Sequence, residues 1–277
     1  YLGVSQTQQE LFRPSRRRGQ NFLIDRAIQQ RIAASAALPP GTTVVEIGAG
    51  TGNLTDALIG HDLDVVAIEV EPTLITRLRK KFRHHDRVRV IAGDARRIKV
   101  REVAGGPFHV VANLPYSIGT RLIIDLISTQ DPPRSMTVLM QREVAHRICA
   151  KPGDMALLSV IVQSYAEARC LFDVAPSAFR PVPKVTSTLL RINPHRASFT
   201  DIARIEQRIS IARHGFAQTR KKLRNSLAAG TGLHVAQVGE ALTSSGIDPG
   251  RRPQTLSLDE WSVVAKVLAM KPTIEPV

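Results

Sequence analysis

A chain of 277 residues with 43% hydrophobic side chains is long enough for one large domain with a sizeable core, or for a large domain with a small companion. Its 38 basic and 24 acidic residues leave a formal charge of +14, which points to a polyanionic partner, nucleic acid ahead of an acidic membrane surface. Two cysteines without paired spacing support neither a disulfide framework nor a zinc site, and no apolar stretch reaches the roughly 18 residues of a membrane span, so no metal and no membrane are expected and the reducing cytoplasm is the expected compartment.

Residues 1–19 are polar and basic, with Arg16, Arg17 and Arg18 together, and predict a basic N-terminal arm; Glu10 and Asp25 argue against a transit peptide remnant. Asp25 then precedes a helical pattern, Ala27, Ile28, Ile32, Ala33 and Ala36, that Pro39-Pro40-Gly41 ends. Strand patterns follow at 43–47, 64–69, 87–92, 108–113, 136–141 and 185–192, with helical patterns between them at 72–83, 119–129 and 154–167. This alternation predicts an α/β fold with a doubly wound, mainly parallel sheet over residues 20–194. After Pro194 the strand patterns cease. Residues 200–229 and 233–270 read as helices broken at Gly230-Thr231-Gly232 and Asp248-Pro249-Gly250, which predicts a small helical domain over 195–277.

The chemistry-bearing residues fall at the carboxyl ends of the strands, where open parallel sheets bind ligands. The first strand runs into Gly48-Ala49-Gly50-Thr51-Gly52, a turn that lets a ligand approach the backbone, but Asn53 stands where the third glycine of a dinucleotide fingerprint belongs. Glu69 ends the second strand at the distance expected of a carboxylate that grips ribose hydroxyls, and Asp94 ends the third, where it can accept from an adenine amine. The fourth ends in Asn113-Leu114-Pro115-Tyr116. Pro115 stops the ladder, the Asn113 side-chain carbonyl and the Leu114 backbone carbonyl can accept the two hydrogens of an exocyclic amine, and Tyr116 can stack on the ring through its face, without using its hydroxyl.

Together these residues resemble the family of ribosomal RNA adenine N6-dimethyltransferases. The likeness extends over nearly the whole chain and includes Gly19-Gln20-Asn21-Phe22-Leu23, Gly48 to Gly52, Asn113 to Tyr116, and the proline-rich stretch Pro176 to Val185. It implies a Rossmann-like methyltransferase fold and S-adenosyl-L-methionine as cofactor. Asn21, Leu23, Gly48, Gly50, Gly52, Glu69, Asp94 and Asn113 would contact that cofactor, and Phe179 would offer a second face for the target base. Phe216 to Leu227 is similar to the helical signature of the small-subunit branch, and implies that Arg220, Lys221, Lys222 and Arg224, with the arginine arm, hold ribosomal RNA phosphates. A monomer acting on a small-subunit assembly intermediate is expected. Arg18 and the run Ser117-Ile118-Gly119-Thr120-Arg121 depart from the family's usual residues beside the target-base pocket.

Three alternatives stand beside this reading. The erythromycin-resistance branch modifies large-subunit RNA. Other relatives act as ribosome assembly factors or mitochondrial transcription factors, without need of catalysis. A nicotinamide dehydrogenase would share the glycine turn, but Asn53 and the lack of an evident hydride-transfer acid argue against it.

Overall fold

A computed structural model of the protein describes residues 21–195 and 198–269; Arg16, Arg17, Arg18, Gly19 and Gln20 lie outside these described residues. The chain enters as a short strand β1 (Phe22–Leu23), followed by helix α1 (Arg26–Ser35), whose N-cap Asp25 accepts from the Ile28 amide at 3.1 Å. Strands and helices then alternate: β2 (Thr43–Ile47), α2 (Asn53–Ile59), β3 (Asp64–Glu69), α3 (Pro72–Lys81), β4 (Val88–Ala92), α4 (Val100–Ala104), β5 (His109–Asn113), α5 (Gly119–Ile127) and β6 (Met136–Gln141). After α6 (Arg142–Cys149) and α7 (Leu157–Tyr165) come β7 (Ala166–Val174), β8 (Phe179–Arg180) and β9 (Ser187–Pro194).

The main sheet has the order β4-β3-β2-β5-β6-β9-β7, with parallel pairing from β4 to β6 and with β9 antiparallel to both of its neighbours. β1 and β8 form a separate antiparallel pair. Alternate residues of each strand feed opposite cores, as the period-2 geometry of a strand requires. Val45, Ile47, Val66, Ile68, Val110 and Ala112 pack toward α4, α5, α6 and α7; Val44, Val65, Ala67 and Val111 pack toward α1, α2 and α3. Burial on both faces explains why β2, β3 and β5 read as near-continuous apolar runs in the sequence.

Two features differ from the sequence reading. β7 lies at the sheet edge, where four of its nine residues are exposed, and its register shifts between Cys170 and Phe172. That shift breaks the alternation that would have revealed it, so the helical pattern at 154–167 runs past the true end of α7 at Tyr165. The helix expected over 200–229 is two: α8 (Phe199–Phe216) and α9 (Leu223–Thr231), joined by a turn. The turn is fixed from outside, because the Leu223 amide donates to the Arg251 carbonyl at 2.7 Å and the Arg224 amide to the Pro249 carbonyl at 3.3 Å. These contacts reach across about thirty residues and leave no trace in local periodicity. With α10 (Val235–Ser244) and α11 (Leu258–Ala269), these helices close a third core around Trp261, which Met155 and Val160 join from the sheet side.

Candidate active site

A cavity of about 530 Å³ opens at the carboxyl ends of β2, β3, β4 and β5. Six of the residues singled out for a cofactor line it, namely Asn21, Gly48, Gly50, Glu69, Asp94 and Asn113, and so do Leu114, Pro115 and Tyr116. Its size suits a nucleoside-sized ligand.

The glycine turn is held from both ends. Gly50 has φ of +59°, and a Cβ there would lie 3.0 Å from the Phe22 ring, so a side chain would both strain the backbone and press on β1. Gly52 does not face the cavity. It caps α2 with φ of +75°, and a Cβ would meet Phe82 at 2.7 Å, so its role is close packing of α2 against α3. Lys81 of α3 donates to the Thr51 and Gly52 carbonyls at 3.3 and 2.9 Å.

Glu69 is nearly inaccessible apart from the face it gives to the cavity, at 5% exposure. One oxygen accepts the Gly50 amide at 2.8 Å; the other accepts the Val70 and Glu71 amides at 2.9 and 3.0 Å. The same carboxylate that would meet ribose hydroxyls therefore also sets the shape of the glycine turn. A carboxylate has about four acceptor positions, so three amide donors leave room for a further one. Asp94 accepts the Arg96 amide at 3.0 Å and the Arg96 guanidinium on both oxygens, and these bonds hold its carboxyl down to about 2. Arg96 also lines the cavity, a neighbour that its place two residues after Asp94 could have suggested.

β1 packs against the glycine turn and adds Phe22 to the cavity wall. The Leu23 carbonyl accepts the Gln29 side-chain amide at 2.9 Å and the Asn53 side-chain amide at 3.1 Å. Leu23 itself points its side chain into the core at 5% exposure and is not among the residues that line the cavity. Asn53, the residue that departs from the dinucleotide fingerprint, is a tether for β1. Asn21, next along, accepts the Asn113 side-chain NH2 at 3.0 Å through its backbone carbonyl. With that end engaged, the Asn113 side-chain oxygen is the free acceptor.

Tyr116 is half-buried on the cavity wall, and its hydroxyl lies 2.6 Å from the Ser187 hydroxyl. Burial raises the phenol above its ordinary range. Phe179, expected to give a second stacking face, does not reach the cavity. Its β8 position pairs with Leu23, which turns the ring into the core with Val111, Leu139 and Leu189, at 0% exposure.

The basic residues sit on the joint between α8 and α9. Arg220, Lys221 and Lys222 are exposed on the turn, whereas Arg224 lies on α9, half-buried, with Nε lacking a partner. Among the described residues, no group of three or more His, Cys, Asp or Glu side chains is arranged to hold a metal, and no helix is long and apolar enough to cross a membrane.

Comparison with known proteins extends these observations. A family model described as ribosomal RNA adenine dimethylase matches residues 12–270. The ribosomal RNA small subunit methyltransferase A of Methylococcus capsulatus is 38% identical over 258 residues, which cover 92% of this chain and 98% of that protein. Its namesake from Dehalococcoides mccartyi is 36% identical over 257 residues, covering 92% and 88%. Among solved structures, the 23S rRNA methyltransferase ErmE has a TM-score of 0.71 at 27% identity, covering 90% of this chain and all of that one. A dimethyladenosine transferase from Plasmodium falciparum shares the fold, with a TM-score of 0.74 at 22% identity and coverage of 88% and 95%. A match that takes in the sheet, the cavity and the helices beyond it shows that the chain belongs to the ribosomal RNA adenine dimethylase family.

Proposed function

We propose that this protein transfers methyl groups from S-adenosyl-L-methionine to the exocyclic amine of adenines in small-subunit ribosomal RNA, giving N6,N6-dimethyladenosine. The observation that carries this reading is the Asn113 amide, whose NH2 is held by the Asn21 carbonyl so that its oxygen is the free acceptor beside Leu114 and the Tyr116 ring. The small-subunit target is favoured over the large-subunit one because the relatives at 36–38% identity carry that name.

Glu69, Asp94, Asn21, Gly48 and Gly50 suit the cofactor: a carboxylate for hydroxyls, a second carboxylate for an amine, and a backbone turn without side chains. Bound there, S-adenosyl-L-methionine supplies an electrophilic methyl group on a sulfonium. The protein's part is geometry and polarity. An adenine amine is a weak nucleophile because its lone pair is delocalised into the ring. Hydrogen bonds to the Asn113 oxygen and the Leu114 carbonyl favour a more tetrahedral nitrogen and stabilise the positive charge that grows on it. The Tyr116 face holds a base taken out of its RNA stack. The exposed turn Arg220-Lys221-Lys222, with the arginine arm, would contact phosphates, and residues 195–277 would serve as the RNA-binding domain. A monomer acting in the cytoplasm on a partly assembled small subunit completes the reading.

The test is transfer of labelled methyl groups to small-subunit particles and, separately, to large-subunit RNA, each from cells lacking the modification. Wild type is expected to label the small-subunit substrate alone, and Asn113→Ala to lower transfer by about a hundredfold or more while RNA binding stays within about twofold. Labelling of large-subunit RNA alone would replace the branch. A wild type that binds cofactor and particles yet labels neither would leave an assembly factor.

A further inference from the structure

The bond between the hydroxyls of Tyr116 and Ser187 ties the cavity wall to the start of β9, and the dimethylation reading by itself gives it no role. Tyr116 belongs to the turn after β5. Ser187 opens β9, lies in register with Gln141 on β6 and Val174 on β7, and has 0% exposure. Its hydroxyl is thus fixed by three strands and shielded from water. A tyrosine ring whose polar tip is held at such a point keeps one direction for its long axis, so its face does not swing away from the base. Without that anchor the ring is free to swing about its Cα–Cβ bond, and half-burial alone does not hold it.

We propose that Ser187 is a positioning residue for the target base, holding the Tyr116 ring in place through its hydroxyl, and that this control matters most in the second methyl transfer. The inference rests on the adenine dimethylation reading. Each transfer forms one N–C bond, breaks the donor's S–CH3 bond to leave a thioether, and releases one amine proton to solvent. Unmodified adenine brings two N–H groups to the Asn113 oxygen and the Leu114 carbonyl. After the first transfer it brings one. The monomethylated amine can then satisfy a single acceptor, so alignment of the lone pair depends more heavily on the surface against which the ring lies. The first transfer has two hydrogen bonds and a stacking face to define its geometry; the second has one hydrogen bond and the face. Burial of the Tyr116 phenol, which raises it above its ordinary range, keeps it protonated and able to donate or accept in this pair.

The experiment compares wild type with Ser187→Ala, Tyr116→Phe, their double variant and Ser187→Thr on small-subunit particles lacking the modification. It measures mono- and dimethyladenosine by mass spectrometry over time, S-adenosylmethionine affinity by calorimetry, and Tm. In Ser187→Ala and Tyr116→Phe the second transfer should slow about tenfold more than the first, so that monomethyladenosine accumulates at unchanged cofactor affinity. Ser187→Thr, which retains the hydroxyl, should restore the wild-type ratio. The double variant leaves neither hydroxyl without its partner, so it should regain most of the lost Tm but not the second transfer. A double variant that regains both, or a Ser187→Ala enzyme with the wild-type product ratio, overturns the positioning role. A wild type that makes neither product overturns the functional reading instead, and the two failures are told apart by that control.

Discussion

Glu46 and Glu69 are both carboxylates buried near the ends of neighbouring strands, and their surroundings treat them differently. Three backbone amides meet Glu69, whereas the partner found for Glu46 is the Thr55 hydroxyl. Burial, with the Glu69 charge nearby and against the Thr55 hydrogen bond, pushes the Glu46 carboxyl up to about 8. The folded state therefore binds this proton more tightly than the unfolded chain, whose carboxyl titrates near 4.5. Stability from this group is highest below that value, falls as pH rises between it and about 8, and is lowest beyond. Glu46→Gln removes the proton-linked part. Between pH 5.5 and 8.5 the wild type should lose roughly 2–3 kcal/mol more unfolding free energy than the variant. Urea titrations at the two pH values measure this directly, and parallel losses in both proteins would show that Glu46 is not the group responsible. Residue identity alone gave Glu46 no special place, because neither its complete burial nor the nearness of Glu69 can be seen before the strands are aligned.

At the level of elements, the glycine turn, the strand-end acids and the Asn-Leu-Pro-Tyr turn were legible in the sequence because parallel strands carry their ligand residues at one end, so apolar runs locate the site. The devices that hold those pieces were not legible. Asn53 tethers Leu23 from thirty positions away, Lys81 braces the turn from the far end of α3, and Ser187 meets Tyr116 across seventy-one positions. Each is a side chain whose partner is chosen by the fold and not by spacing. Phe179 is the reverse case: a residue matched to a motif, whose ring the β1–β8 pairing turns into the core. The tether gives a specific expectation. Asn53→Ala should loosen β1, and with it Asn21 and Phe22 on the cavity wall, weakening S-adenosylmethionine binding by about 0.5–1.5 kcal/mol. Calorimetry should find this with little change in the helical content seen by circular dichroism. Unaltered affinity would mean that Gln29 and the β8 pairing hold the wall without Asn53.

At the scale of the whole molecule, the cavity lies in the sheet and the cationic turn lies in the helical part. If Lys221, Lys222 and Arg224 contact phosphates, replacing all three by alanine should flatten the dependence of RNA affinity on salt by up to about 2.7 in log–log slope, less if half-buried Arg224 touches no phosphate. Filter binding across a salt series gives that slope, and a value equal to wild type would place the RNA surface elsewhere. The helical region was legible as a region, since strand patterns stop at Pro194; the turn that presents its charges was not, because contacts from the 249–251 loop make it. The reversed strand β9 settles where the helical region starts. A chain leaving a strand that runs with the sheet emerges at the cavity's rim, and the next helix carries it away. β9 runs the other way and delivers the chain to the far edge, beside the end of α7, where the His195 amide meets the Tyr165 carbonyl at 2.8 Å. The 18 residues of α8, about 27 Å of helix, then pack against α7. Direction along the sheet thus acts as a parity: one reversal starts the next helix at the edge opposite the cavity, and a second would start it at the cavity's rim. A single inverted strand thus starts the helical region at the edge of the sheet opposite the cavity.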